Sequence, residues 1–238
     1  MNKIKIKPKD SENNVKGIIS SPVSRRKFLL FSGMTAAALT IGLQACSDDD
    51  NMITPGASAI DVGSGDTGVL NYAYALEQLE AAFYVKVVSS FYNGATSEEQ
   101  QILTDIREHE IAHREFFKAA LGGSAIASLD VDFSSIDFSS RSSVLGTAKV
   151  FEDLGVAAYN GAAYLIVNPD YLVLAGKIVS VEARHAVAIR DLLNPRSPDF
   201  AGDDVIDTSG LDRQMLPSQV IQAANGFLST KISANNLA

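Results

Sequence analysis

Apolar residues recur at helical spacing along most of the chain from position 67 onward. Over 67–92, Leu70, Ala73, Tyr74, Ala81, Tyr84 and Val88 fall on one stripe, and Asn93-Gly94 supplies a stop. Thr96-Ser97-Glu98-Glu99 has the form of a capping box, Thr96 at the N-cap and Glu99 three residues on. It predicts a second helix running to Leu121 and closed by Gly122-Gly123. Residues 124–141 are rich in Ser and Asp and carry no helical period. A third helix is predicted over 142–167, ended by Asn168-Pro169, and a fourth over 170–193, ended by Asn194-Pro195. In the tail, Pro217 suits a first helical turn and predicts one further helix to about Ile232.

Loop lengths convert these elements into a topology. Only a few residues join helix one to two and three to four, so each pair is expected to be antiparallel. Between the pairs lie roughly 18 non-helical residues, which reach about 60 Å when extended. A helix of about 25 residues is only about 38 Å long, so this connection can run the length of the bundle. The expected class is all-α: a four-helix bundle over 67–193, built as two antiparallel hairpins joined by a long crossover. A C-terminal tail, 194–238, with a short helix would pack on it.

The polar residues that interrupt the stripes carry the chemistry. Helix one has Glu77 and Glu80, helix two Glu110 and His113, helix three Glu152, and helix four Glu182 and His185. Each helix thus places a carboxylate mid-length on the face that must be buried. An unpaired buried carboxylate costs several kcal/mol, so four converging ones must be protonated or hold cations. The pattern also repeats. Glu77 precedes Tyr84 by seven residues and Glu152 precedes Tyr159 by seven, while Glu110-Ile111-Ala112-His113 and Glu182-Ala183-Arg184-His185 are both E-x-x-H. Residues three apart on a helix share a face, so each E-x-x-H offers an oxygen and a nitrogen to one ion.

One Glu per helix, with E-x-x-H on alternate helices, resembles the di-metal ligand set of the ferritin-like superfamily, near rubrerythrin and bacterioferritin in pattern. The segment from Asn71 to Tyr84, NYAYALEQLEAAFY, is similar to the ferritin-like family that includes plant desiccation-related proteins. The resemblance implies two iron or manganese ions. It implies that Glu110 and Glu182 bridge them, that Glu77 and Glu152 are terminal carboxylates, and that His113 and His185 are nitrogen ligands. Glu80, one turn after Glu77, is an alternative or additional ligand, although the matched Glu–Tyr spacing favours Glu77. Tyr84 and Tyr159 are expected near the metals, as core aromatics or as participants in the reaction.

The formal net charge of -8 conceals two opposite segments. Residues 1–45 hold eight Lys and Arg against two Asp and Glu, whereas the remainder carries a balance of -14. Ser24-Arg25-Arg26-Lys27-Phe28-Leu29-Leu30 resembles a twin-arginine export signal, followed by an apolar run of about 15 residues, too short to span a membrane comfortably. Leu43-Gln44-Ala45-Cys46 resembles a lipobox, with Gln44 where a small residue is usual. Cys46 would be the lipidated mature N-terminus, and 46–66 an acidic, Gly/Ser-rich tether. The resemblance implies export of an already folded protein and a lipid anchor in the bacterial cell envelope. As the chain's single Cys, Cys46 excludes a disulfide framework, and the acidic body argues against nucleic acid as a partner.

A rival pattern lies within helix two, where His109-Glu110-Ile111-Ala112-His113 spells the zinc-protease motif H-E-x-x-H. That reading leaves Glu182, His185 and the Glu152 repeat without a role, and it sets His109 on the flank of the buried stripe. Carboxylates with one imidazole per ion suit iron or manganese. The expected function is an oxidoreductase acting on O2 or H2O2, ferroxidase-like or peroxide-scavenging, with a homodimer among the assemblies open to it. The alternative is a non-enzymatic envelope stress protein whose metals mainly stabilise the bundle.

Overall fold

The structure, a computed structural model, describes residues 59–237. The Arg25-Arg26 motif, Cys46 and most of the tether lie outside the described residues. Thr96 and Glu99 form the capping box foreseen from sequence: Glu99 N–H donates to Thr96 Oγ1 at 3.2 Å, and Thr96 N–H donates to Glu99 Oε2 at 2.7 Å. Among the described residues there are five α-helices: α1 (Gly65–Ser89), α2 (Ser97–Leu121), α3 (Arg141–Ala162), α4 (Pro169–Leu193) and α5 (Pro217–Ala224). Two short strands, β1 (Ile60–Asp61) and β2 (Ile232–Ser233), pair in parallel.

Helix α1 packs along α2, and α3 along α4. Side-chain pairing between α1 and α3 sets their directions, because Glu77 meets Tyr159 while Tyr84 meets Glu152. Helix α3 therefore runs opposite to α1 and parallel to α2, so residues 122–140 traverse the bundle lengthwise. The fold is an all-α four-helix bundle with a long crossover. The crossover is held to α1 by buried polar side chains. Asn71 Nδ2 donates to Ser124 O, and Asn71 Oδ1 accepts from Ile126 N–H. Gln78 Oε1 accepts from Leu129 N–H.

The predicted tail helix is shorter than its periodicity suggests. It stops at Ala224, because Asn225 uses its side chain to bond both the N–H and the carbonyl of Ile232. That loop turns the chain into β2 beside β1. Helix α1 likewise ends at Ser89, before the Asn93-Gly94 stop, and a 3-10 turn over 163–165 finishes the third helical segment. Farther up the tail, Arg190 binds Asp153 and Asp204 and the carbonyl of Asp199, tying α4, α3 and the tail together. No helix among the described residues is long and apolar enough to cross a membrane.

Two apolar clusters divide the interior. Phe83, Tyr84, Leu103, Leu145 and Phe151 belong to one; Tyr74, Phe117, Tyr159 and Ile178 belong to the other. Tyr84 and Tyr159 thus bracket the polar layer described next.

Candidate metal centre

Each long helix delivers its mid-length carboxylate to the bundle axis. Glu77, Glu110, Glu152 and Glu182 are fully buried, and His185 is nearly so. His113 Nδ1 lies 2.9 Å from Glu182 Oε1, 3.4 Å from Glu77 Oε2 and 3.6 Å from Glu110 Oε2. His185 Nδ1 lies 2.8 Å from Glu110 Oε1, 3.4 Å from Glu152 Oε2 and 3.5 Å from Glu182 Oε2. The atoms form two sets, one from Glu77, Glu110, His113 and Glu182, the other from Glu110, Glu152, Glu182 and His185. Glu110 and Glu182 are common to both, each turning one oxygen to each set.

The phenols sort the remaining oxygens. Tyr84 donates to Glu152 Oε1 and Tyr159 donates to Glu77 Oε1, each at 2.5 Å. That leaves Oε2 of both carboxylates facing the imidazoles. Those two oxygens, both oxygens of Glu110 and Glu182, and the two Nδ1 atoms are buried without a hydrogen bond. Buried polar atoms are almost always hydrogen-bonded. Eight that lie within ion-pair range of one another yet make no hydrogen bond form an arrangement able to hold cations.

In its own charges the cluster is balanced by protons. Burial pushes Glu77 well above the usual carboxylate range, and the neighbouring Glu182 adds to the shift. Burial likewise pushes Glu152 up to about 8. Burial opposes ionisation of Glu110 too, but His113 and His185 outweigh it and hold that group down at about 2. For both imidazoles burial disfavours the cation, yet the surrounding carboxylates, Glu110 foremost, push the pKa up to about 12. Desolvation raises both Tyr84 and Tyr159, so each phenol keeps the proton it donates.

Glu80 does not enter either set. Its carboxylate is buried against α3, where a Cβ on Gly155 would stand 3.1 Å from Glu80 Oε1. Desolvation, reinforced by Glu110, pushes its pKa well above the ordinary carboxylate range. His109 is also outside both sets. It is solvent-exposed, and its Nδ1 lies 2.9 Å from His185 Nε2. One His of the H-E-x-x-H string therefore meets the other hairpin's imidazole instead of sharing an ion with His113. The sequence placed His109 on the flank of the stripe and missed this contact.

Residues 65–195 match the family described as the ferritin-like domain. The chain belongs to that family. No curated protein matches the chain. In this ferritin-like domain the matched span covers the four long helices, and with them all the residues of the two sets. The donors are hard oxygens with one nitrogen per set and no sulfur, a chemistry that could hold metal ions.

Proposed function

We propose that this protein is an exported, lipid-anchored di-iron or di-manganese carboxylate protein that reduces O2 or H2O2. One observation carries the reading: eight buried, unbonded donor atoms fall into two sets that share Glu110 and Glu182. Glu77 and His113 would complete one ion's ligands, Glu152 and His185 the other's, with Glu110 and Glu182 bridging. Two iron or manganese ions bound there would supply the pair of electrons that reduction of O2 to H2O2, or of H2O2 to water, requires.

The chain's own residues would do the rest. Tyr84 and Tyr159 hold Oε1 of the two terminal carboxylates, so that only Oε2 faces inward. The packed helices exclude bulk water and strengthen every charge interaction at the centre. A cavity of about 50 Å³ adjoins Tyr159, lined by Leu70, Ala73, Phe117, Ala158 and Ile178 among others. Such a space exceeds the roughly 15 Å³ that one water needs. Its apolar walls favour O2 over H2O2, which would lose hydrogen bonds on entry.

The test is the metal content of purified protein from metal-replete cells, beside Glu182→Ala and His185→Ala. Two ions per chain, falling to one or none in the variants, supports the site; absence of bound iron, manganese or zinc overturns it. Repeated consumption of O2 or H2O2 by anaerobically Fe(II)-loaded protein, supplied with excess Fe(II) or another electron donor to re-reduce the ions, supports turnover. A second reading, a stress protein stabilised by its ions, is favoured by the same burial, because metal that neutralises buried carboxylates adds folding free energy. A raised Tm without turnover would select it.

A further inference from the structure

The cluster is two-fold symmetric in its donors but not in what stands behind them. Glu110-x-x-His113 on α2 matches Glu182-x-x-His185 on α4, and the Tyr159–Glu77 bond matches Tyr84–Glu152. The imidazoles differ. His185 turns Nδ1 to the carboxylates and Nε2 to His109 Nδ1 at 2.9 Å, with the two ring planes within 8°. His109 reaches it from α2, four residues before His113. The matching place on α4, four residues before His185, is Val181, whose side chain has neither donor nor acceptor. The exposures follow suit: the His185 side chain is 5% exposed and that of His113 14%.

Resting on the dinuclear reading above, we infer that His109 is a positioning residue that makes the two metal positions unequal. The position formed by Glu110, Glu152, Glu182 and His185 binds first and more tightly, and the one formed with Glu77 and His113 is the weaker. The reason lies in the tautomers. An ion bound by His185 Nδ1 requires that ring's proton on Nε2, and that N–H then donates to His109 Nδ1. His109 accepts only as the neutral ring with its proton on Nε2, which its exposure lets it present to water. The ring plane of His185 is thereby set before an ion arrives, and the Nδ1 proton is the one the ion displaces while Nε2–H stays bonded to His109, an outer-shell contact of the kind that typically governs about 10- to 100-fold in metal affinity. His113 receives no such support from position 181.

The experiment titrates metal-free protein with Co(II), followed by visible absorption, with a competing chelator to resolve tight binding. The wild type should take up two ions in separate steps. His109→Ala should weaken the first step about 10- to 100-fold and leave the second little changed. His109→Gln, whose Oε1 can accept from His185 Nε2, should recover most of the loss, whereas His109→Leu should not. That last pair, similar in bulk, also decides the matter if His109→Ala fails to fold. Two equal affinities in the wild type, or a first step indifferent to all three variants, overturns the inference while leaving the dinuclear site intact. Failure of the wild type to bind Co(II), Mn(II) or Fe(II) overturns the dinuclear reading and this inference with it.

Discussion

Tyr159 on α3 donates a 2.5 Å hydrogen bond to Glu77 on α1, and the reciprocal bond runs from Tyr84 on α1 to Glu152 on α3. Each phenol serves the carboxylate of the other helix. Tyr159→Phe leaves Glu77 Oε1 buried without a partner, and Tyr84→Phe does the same to Glu152. Each variant should lose about 1–3 kcal/mol of metal-free stability, measured by urea denaturation. An unchanged midpoint would mean that the rings contribute packing alone.

Stability of the metal-free protein should fall as pH rises. Glu152, at about 8 against an ordinary 4.5, and His113 and His185, at about 12 against 6.5, keep protons that the unfolded chain releases. Their contribution is complete below the unfolded values and is lost as pH climbs through the folded ones. Glu110, held at about 2, acts oppositely and matters only in strong acid. The Tm of metal-free protein is therefore expected to drop between about pH 5 and pH 9. Bound metal displaces those protons, so the increment in Tm from saturating Mn(II) should grow over the same range. A metal-free Tm that rises with pH would contradict this account.

Glu77→Gln and Glu80→Gln separate two acids one turn apart. Glu80 lies outside both donor sets, so its amide replacement should keep metal stoichiometry. Glu77→Gln removes an anionic donor, and elemental analysis should show one ion weakened or lost. The reverse pattern would move the helix-one ligand to Glu80.

Gly161→Ala tests how the tail is seated. A Cβ at Gly161 would stand 1.8 Å from the carbonyl oxygen of Met215, whose N–H bonds Ala157 O at 3.0 Å. Alanine is the better helix former by about 1 kcal/mol, yet this overlap should produce a net loss of about 1–3 kcal/mol and faster proteolysis in the tail. Gly176→Ala on α4, where nothing lies within 4 Å, should show only the favourable helix effect. Equal melting temperatures for the two variants would refute the contact.

Cys46→Ala should move the protein from the membrane to the soluble fraction, and Lys at both Arg25 and Arg26 should block export, each followed by fractionation and immunoblot. Membrane association unaffected by Cys46→Ala would remove the lipid anchor from the proposal.

The helices, the Thr96–Glu99 capping box, the crossover and the repeated E-x-x-H were legible in the sequence because each is local: caps, stops and 3.6-residue periodicity act within a few turns. The meeting of Glu77, Glu110, Glu152, Glu182, His113 and His185 followed from that periodicity, since four stripes that must be buried bring their interruptions together. What periodicity cannot supply is the rotation and offset of one helix against another. That packing sent Tyr84 to Glu152 rather than to its own helix, admitted Glu77 while Gly155 made room for Glu80 elsewhere, and brought His109 to His185. It also ended α5 at Ala224, because Asn225 found backbone partners at Ile232 and the chain there found β1, 172 residues away along the pairing of Asp61 with Ser233. The residue types and their faces are properties of the chain alone; which atom meets which is decided only when the four helices pack.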